Sequence, residues 1–391
     1  MEHQIREYES LLDLLDDLER EGIEGIQRVK AVNRFISLRA RQRDIPVSGT
    51  FELTPLCNFD CKMCYVHLSK DQLKEQGRLL TIDEWKSIMK QAVDAGMMYA
   101  SLTGGECLTY PGFKEVYLYL LSLGIQPSVL TNGSLLTDEM VAFFTQNPPE
   151  SLQITLYGSD EDSYEGVCGI RAFSSVLKGI ERAKKANLNL TITITPNKYT
   201  QKNVEALLEL LHELDVFYAI GDTMLQARPE TGREYSQFAV DYALIEELNR
   251  IEDVHLRTKT LPRQAPLYTR YYPKGRQNPQ GLPCGGAHSS FHVNWRGQIC
   301  PCIAFSSSVH CSILDSGFLF AWNSIRNAMN QYKLPKECRE CDIRDYCQVC
   351  PGERCLGKLN GEVNKAVCEK MHRRFGEGKI SMATECLEDI Y

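Results

Sequence analysis

Residues 50–65 read Thr50-Phe-Glu-Leu-Thr-Pro-Leu-Cys57-Asn-Phe-Asp-Cys61-Lys-Met-Cys64-Tyr65. Thr50 to Thr54 reads as a short strand, and it runs directly into a loop that carries Cys57, Cys61 and Cys64 at CxxxCxxC spacing. In a parallel α/β fold, ligands gather at the carboxyl ends of strands. Three thiolates there can hold three irons of a cubane [4Fe–4S] cluster and leave one iron open for a ligand. The competing readings are three buried thiols or half of a zinc site. A zinc site wants a fourth Cys or His, and His67 is close in sequence.

Working outward, strand and helix signals alternate from Gly49 to about Asp222. Thr81-Ile-Asp-Glu84 is a capping box that starts a helix with Trp85, Ile88, Met89 and Ala92 on one face, ended by Gly96. Strands follow at Tyr99–Thr103, Ser128–Thr131, Ser151–Tyr157, Leu190–Thr195 and Val216–Ile220, with helix-length segments between them. That order implies parallel βαβ units. Six units predict an α/β chain built on a partial, open (β/α)6 TIM-like barrel rather than a closed eight-unit one.

Ahead of this region, residues 1–48 read as two helices, one on Leu11, Leu12, Leu15 and Leu18, the other on Ile23, Ile26, Val29 and Val32, stopping before Pro46. No strand signal appears in them, and packing or a cap over a barrel end is their expected role. The expected division is a helical segment at 1–48, the barrel at 49–235, a proline-rich linker at 236–283 with a helix near 238–250, a cysteine-rich module at 284–372 and a tail at 373–391.

The chain has 391 residues, 43% apolar and 24% charged, with a net charge of −7. This suits a globular protein with a sizeable core and gives no general attraction to nucleic acid or an anionic membrane. No apolar run reaches the length of about 18 residues that a membrane span needs. The acidic, amphipathic start does not resemble a secretory signal, so a cytoplasmic location is expected. Sixteen cysteines are present, eleven of them from Cys284 onward. In a large chain without an export signal, clustered cysteines point to metal-binding thiolates rather than disulfides.

The CxxxCxxC loop after the first strand resembles that of the radical S-adenosylmethionine (AdoMet) superfamily. The resemblance implies that AdoMet chelates the open iron, is cleaved by an electron from the cluster, and yields methionine and a 5′-deoxyadenosyl radical that abstracts a substrate hydrogen. Further pieces follow in the family's order. Thr103-Gly104-Gly105-Glu106 resembles the GGE motif, which binds the AdoMet amino group. Glycines permit close backbone approach, and Glu106 offers a carboxylate to an ammonium. Cys107 stands where the family usually has proline, and reads as a buried substitution. By the same resemblance, Asn132 of Thr131-Asn-Gly133 and Thr155 lie near the ribose, while Met63 and Tyr65 give the adenine an apolar surface. The ordered GGE and TNG motifs count against zinc at the first cysteines. Cys168 and Cys311 sit in no motif and read as core thiols. Asp160, Asp162 and Tyr164 lie just past a strand end, where a solvated loop explains them as well as a catalytic role does. No general base is assigned.

Farther on, Cys284 is followed by Gly297 and Cys302, then by Cys338-x2-Cys341-x5-Cys347-x2-Cys350, with Cys368 beyond. This resembles the SPASM extension of radical AdoMet enzymes that mature peptides and proteins, with x2 instead of x3 before Cys350. The resemblance implies two auxiliary [4Fe–4S] clusters. One takes Cys338, Cys341, Cys347 and Cys368. The other takes Cys284, Cys302 and Cys350, with Cys300, Cys355 or an open iron completing it, in that order of preference. A short hairpin at Val293–Gly297 would carry Cys300 and Cys302 back toward Cys284. CxxC pairs also suit zinc ribbons, but ten cysteines between 284 and 368 exceed the four or eight that one or two zinc sites need. His288 and His292 read as structural.

The function implied is oxidative crosslinking, thioether or carbon–carbon, of a ribosomally made peptide, with an external donor such as flavodoxin or ferredoxin and no nucleic-acid or membrane partner. The runner-up is a dehydrogenase acting on a small alcohol or on a Ser or Cys of a protein, as in sulfatase maturation. A third reading, from another class, is a non-catalytic iron–sulfur or zinc protein, against which the GGE motif speaks. The helical N-terminal segment looks too short for the winged-helix-like peptide-recognition domain that many peptide maturases carry.

Overall fold

The computed structural model describes residues 6–195, 197, 204–220, 227–233, 271–273, 284–343, 347, 349–355 and 362–376. Its centre is a nine-stranded sheet. Six parallel strands run in sequence order: β2 (Ser48–Glu52), β3 (Tyr99–Thr103), β4 (Ser128–Thr131), β5 (Leu152–Leu156), β6 (Leu190–Ile194) and β7 (Phe217–Ile220). The crossovers carry α3 (Lys70–Gln76) and α4 (Ile82–Asp94), then α5 (Phe113–Ser122), α6 (Asp138–Gln146), α7 (Glu161–Cys168) with α8 (Phe173–Lys185), and α9 (Val204–Leu214). Among the described residues β7 has no partner on its far side, so the barrel is open, as the six-unit count predicts.

The two faces of the sheet differ in chemistry. Phe51, Leu102, Val129, Ile154 and Ile192 share one face and are fully buried against the helices. Alternation puts Thr50, Glu52, Ser101, Gln153, Thr155, Thr191 and Thr193 on the other, the polar lumen. On the helical side, α4 shows why sequence and packing agree. Thr81 accepts from the Glu84 backbone N–H while Glu84 closes the box, and Trp85, Ile88, Met89 and Ala92 are buried. Burying each of the three large side chains contributes about 1.5–3 kcal/mol.

The cysteine-rich module is built onto the same sheet. β9 (Ser290–Val293) pairs parallel with β2, placing His292 beside Thr50, and β10 (Gln298–Cys300) pairs antiparallel with β9, then with β11 (Cys311–Ser312). The Asn294–Gly297 turn forms the expected hairpin, with Gly297 at φ +74°, a conformation glycine takes without strain. The helix Phe318–Met329 packs Phe318 and Trp322 edge-on against Phe291.

The N-terminal segment departs from the sequence reading. It contains a strand, β1 (Arg6–Tyr8), paired parallel with β8 (Tyr271–Pro273). Three residues are too few for a periodic signal, and the partner lies 265 positions away in the chain, from Arg6 to Tyr271. The two helices exist, as α1 (Leu11–Arg20) and α2 (Gly25–Gln42), but their buried stripes are shifted. Leu14 and Leu18 are buried and Leu12 is 71% exposed; in α2, Ala31 and Phe35 are buried and Val29 faces solvent. The helix expected near 238–250 and most of the 236–283 linker lie outside the described residues.

Candidate active site

The loop after β2 is fastened on three sides. Below, the Gly105 and Glu106 N–H groups donate to the Thr54 and Leu56 carbonyls at 2.7 and 2.9 Å. A Cβ on Gly104 would lie 2.5 Å from the Thr54 oxygen, and one on Gly105 2.4 Å from the Leu56 oxygen. The two glycines therefore let one loop lie directly on the other. At the side, the Asp60 and Lys62 N–H groups donate to the Cys168 and Val167 carbonyls, both at 3.0 Å, at the end of α7. Above, Arg233 donates to the Cys61 carbonyl and to Asp60, and His67 Nδ1 lies 3.3 Å from Asp60. His67 is thus engaged by Asp60 and Arg233 through its ring, and offers Cys64 only its backbone N–H. This weighs against a zinc ligand role.

Within this cradle the three thiols sit close enough to influence one another. The Phe59 N–H donates to Cys57 Sγ at 3.3 Å, and the His67 N–H to Cys64 Sγ at 3.3 Å. Burial pushes the Cys57 thiol well up, and pushes Cys64 up to about 11, with repulsion from neighbouring thiolates adding to both. The Cys61 thiol is raised chiefly by interaction with the Cys168 thiol, then by burial. Such a group of thiolates is stable only against positive charge, which an iron–sulfur cluster supplies. The donor set and the N–H groups aimed at sulfur fit a cluster of that kind.

Cys168 is buried in the core, as expected, yet it also abuts the site. Phe59, Tyr157 and Tyr164 form an aromatic wall with ring centroids 6.3–6.4 Å apart. Tyr164 is fully buried there. Asp160 caps α7 by accepting from the Ser163 N–H at 2.7 Å, and Asp162 pairs with Arg171 at 2.7 Å, so a helix start rather than a solvated loop explains them.

Glu106 is fully enclosed. Its carboxylate accepts from Thr131 Oγ1 at 2.9 Å, the Asn132 N–H at 2.7 Å and the Leu108 N–H at 3.0 Å, and burial still raises its pKa. It locks the end of β3 to the end of β4. Asn132 in turn donates to Asn58 at 2.8 Å and lies 3.8 Å from Cys57 Sγ, so the TNG loop reaches the cysteine loop. Thr155 stands on the lumen face, paired with Thr193. Met63 belongs to the core, and the Tyr65 carbonyl accepts from the Arg228 N–H at 3.2 Å. Cys107 is fully buried, with its thiol 3.3 Å from the Leu130 carbonyl.

The lumen also holds a group that sequence reasoning missed. Arg228 grips Glu52 through two hydrogen bonds of 2.9 and 2.6 Å, and His292 Nε2 lies 3.2 Å from the same carboxylate. All three are buried. Burial alone would raise the Glu52 carboxyl, but Arg228 and His292 overcome it and hold the group at about 2. A single carboxylate, Glu52, on an otherwise uncharged strand was the available signal. His292 joins this buried group, whereas His288 pairs with Asp44 at 2.7 Å.

The later cysteines form two groups. Cys302 is pushed up to about 12 by burial and by Cys284 and Cys350 beside it. Cys300 turns elsewhere, donating to the His292 carbonyl at 3.3 Å, and Cys355 donates to the Pro351 carbonyl at 2.9 Å. Cys338, Cys341, Cys347 and Cys368 together line a cavity of about 300 Å³. Cys311 lies 3.7 Å from Ser316 Oγ, away from both groups.

Comparison with known proteins agrees with this geometry. Residues 51–211 match the Radical SAM superfamily. The sporulation killing factor maturation protein SkfB of Bacillus subtilis is 28% identical over 48% of this chain and 45% of its own length, so the chain matches under half of that relative. The AdoMet-dependent heme synthase of Methanosarcina barkeri is 25% identical over 78% of this chain and 90% of that protein. The PqqA peptide cyclase of Granulibacter bethesdensis is 23% identical over 77% and 80%. Among solved structures, Streptococcus suis SuiB bound to S-adenosylmethionine superposes with a TM-score of 0.65 at 16% identity, covering 91% of this chain and 87% of SuiB. It matches equally well when bound to its precursor peptide SuiA. No helix among the described residues is long and apolar enough to cross a membrane. With the CxxxCxxC loop, the GGE turn and the open parallel barrel in their places, residues 51–211 form a domain of the radical SAM superfamily.

Proposed function

We propose that the chain is a peptide maturase that uses AdoMet to form a thioether or carbon–carbon crosslink in a ribosomally made peptide. The observation that carries this reading is the pairing of β9 with β2, which seats the hairpin leading into Cys300 and Cys302 on the same sheet that bears the first cysteines. The bound cluster and AdoMet would supply a 5′-deoxyadenosyl radical that takes a hydrogen atom from the substrate.

In this reading the chain's own residues take the following roles. Cys57, Cys61 and Cys64 hold the first cluster, and the Phe59 and His67 N–H groups donate to two of their sulfurs. Gly104, Gly105 and Glu106 shape the AdoMet amino subsite, Asn132 and Thr155 the ribose side, and Met63 and Tyr65 the adenine side. Residues 284–372 act as a SPASM module with two auxiliary [4Fe–4S] clusters, one on Cys284, Cys302 and Cys350 and one on Cys338, Cys341, Cys347 and Cys368. The remaining position of the first of these clusters goes to Cys300, Cys355 or an open iron, and both thiols donate to backbone carbonyls. The polar lumen between Glu52 and Thr193 receives the substrate side chain. Hydrogen abstraction followed by bond formation leaves one electron to remove, which auxiliary clusters can accept. A flavodoxin or ferredoxin delivers the priming electron, and the cytoplasm is the matching compartment.

Peptide chemistry is supported by the names of SkfB and PqqA peptide cyclase and by the precursor-bound form of SuiB. The match to the heme synthase over most of both chains favours a second reading, oxidation of a small molecule. Anaerobic reconstitution with AdoMet and a reductant should release 5′-deoxyadenosine. Mass spectrometry of a small peptide encoded next to this chain, after co-expression, should show loss of two hydrogens. Release of 5′-deoxyadenosine with an unchanged peptide would move the assignment to a small substrate.

A further inference from the structure

Arg354 is the buried cation that the described structure leaves without a carboxylate. It ends the short helix Pro351–Arg354 with only 6% of its surface exposed. Its Nη2 donates to Cys347 Sγ at 3.4 Å and to the Val349 carbonyl at 3.3 Å, while its Nε–H is buried with no acceptor. Among the described residues no Asp or Glu forms an ion pair with it. Taking a guanidinium out of water costs several kcal/mol unless a counter-charge and hydrogen-bond acceptors repay it. Glu52 and Arg228 show how this chain solves the problem elsewhere, with a two-point carboxylate grip.

The groups around Arg354 are thiols. Arg354 lines the 300 Å³ cavity together with Cys338, Cys347 and Cys368, while Cys350, at the start of its helix, belongs to the Cys284 and Cys302 group. The helical turn fixes this position, because the Arg354 N–H donates to the Cys350 carbonyl at 2.9 Å. One turn of helix thus carries a cysteine of one group at its start and an arginine bound to the other group at its end.

We propose that Arg354 is a positioning residue for electron transfer. It serves as counter-ion and N–H···S donor to the cluster on Cys338, Cys341, Cys347 and Cys368, and raises that cluster's reduction potential. This rests on the reading of residues 284–372 as a two-cluster module. A one-electron reduction makes a thiolate-ligated cubane more negative by one charge. A guanidinium within hydrogen-bonding distance stabilises the reduced form more than the oxidised one, so the cluster becomes the better acceptor. The electron comes from the substrate radical as its new bond forms, and the proton leaves with solvent.

The test is an EPR-monitored redox titration of the full-length, three-cluster protein. Arg354→Gln should lower the midpoint potential of this cluster by at least a tenfold change in its reduction constant, which is 59 mV for one electron. Arg354→Lys, which keeps the charge and loses the fork, should recover part of the shift. The first cluster should keep its potential and its cleavage of AdoMet. Unchanged potentials in both variants with full iron content would overturn the proposal. Should either variant fail to hold the cluster, the wild-type protein grown on 15N-guanidino arginine decides the matter. A 15N hyperfine coupling at the reduced cluster supports the contact, and its absence rules it out. A protein without the two auxiliary clusters would show itself by iron content before any titration, and would remove the module reading instead.

Discussion

At the scale of single residues, the site depends on what each atom has no room to change. Cys61 sits at the centre of the loop, its carbonyl held by Arg233 and its thiol against Cys168. Cys61→Ala should abolish 5′-deoxyadenosine formation and reduce iron content, because two thiolates cannot retain the cubane. Assaying nucleoside release under a strong reductant checks this, and turnover at the wild-type rate would remove Cys61 from the ligand set. Gly105 is a stricter position than its motif suggests. The added methyl of Gly105→Ala would meet the Leu56 oxygen at 2.4 Å, a contact that backbone alone can relieve. We expect a loss of about 1–3 kcal/mol, in the range of overpacking, together with weakened AdoMet binding. Urea unfolding and equilibrium dialysis with labelled AdoMet measure the two effects. Replacing the neighbouring Glu106 with Gln tests a different force. It keeps the shape and removes a charge that three donors stabilise, so β3 and β4 should separate more readily without any steric clash.

At the scale of elements, the sequence was most legible where local chemistry and burial point the same way. The box at Thr81, the apolar face of α4 and the strand Tyr99–Thr103 appear where the pattern placed them, because cap, periodicity and core agree. Thr81→Ala should cost about 1 kcal/mol, the usual value of an N-cap. Thermal or urea denaturation of the two proteins side by side measures it. Glu84 adds a pH dependence. Its hydrogen bond to Arg78, with capping bonds from Thr81, holds its carboxyl at about 2, below the unfolded value of 4.5. A depressed carboxyl stabilises the fold fully above the unfolded value and loses its effect as pH falls toward 2. The stability difference between wild type and Glu84→Gln should therefore be constant near neutrality and shrink below about pH 4.5. A difference that grew on acidification would contradict the sign. The N-terminal helices were legible only as helices. Choosing Leu14 over Leu12 required knowing where the core lies, and β1 depends on a strand far along the chain. The Glu52–Arg228–His292 group was hidden for the same reason: its members come from β2, the segment after β7 and β9.

At the scale of the whole molecule, the continuous sheet makes the two cysteine regions one mechanical body. β9 lies directly beside β2, so the hairpin bearing Cys300 and the loop bearing Cys57 leave adjacent parallel strands. Arg228 ties them further, with its N–H on the Tyr65 carbonyl and its side chain on Glu52 beside His292. The cavity lined by Cys338, Cys341, Cys347 and Cys368 stands apart from this seam, in a small cluster with Ile343, Val349 and Met371 as its core. Damage there should leave the first site intact. Cys341 is a suitable target, since it is only partly buried and its sulfur lies 3.4 Å from His372 Nε2, a contact at the rim rather than in the main core. Cys341→Ala should keep AdoMet cleavage near the wild-type rate and lose the modified product, so that nucleoside release becomes uncoupled from substrate oxidation. Counting 5′-deoxyadenosine against crosslinked peptide in the same reaction measures that coupling. Equal loss of both would mean that the second group supports the first structurally, and unchanged coupling would mean that the electron leaves by another route.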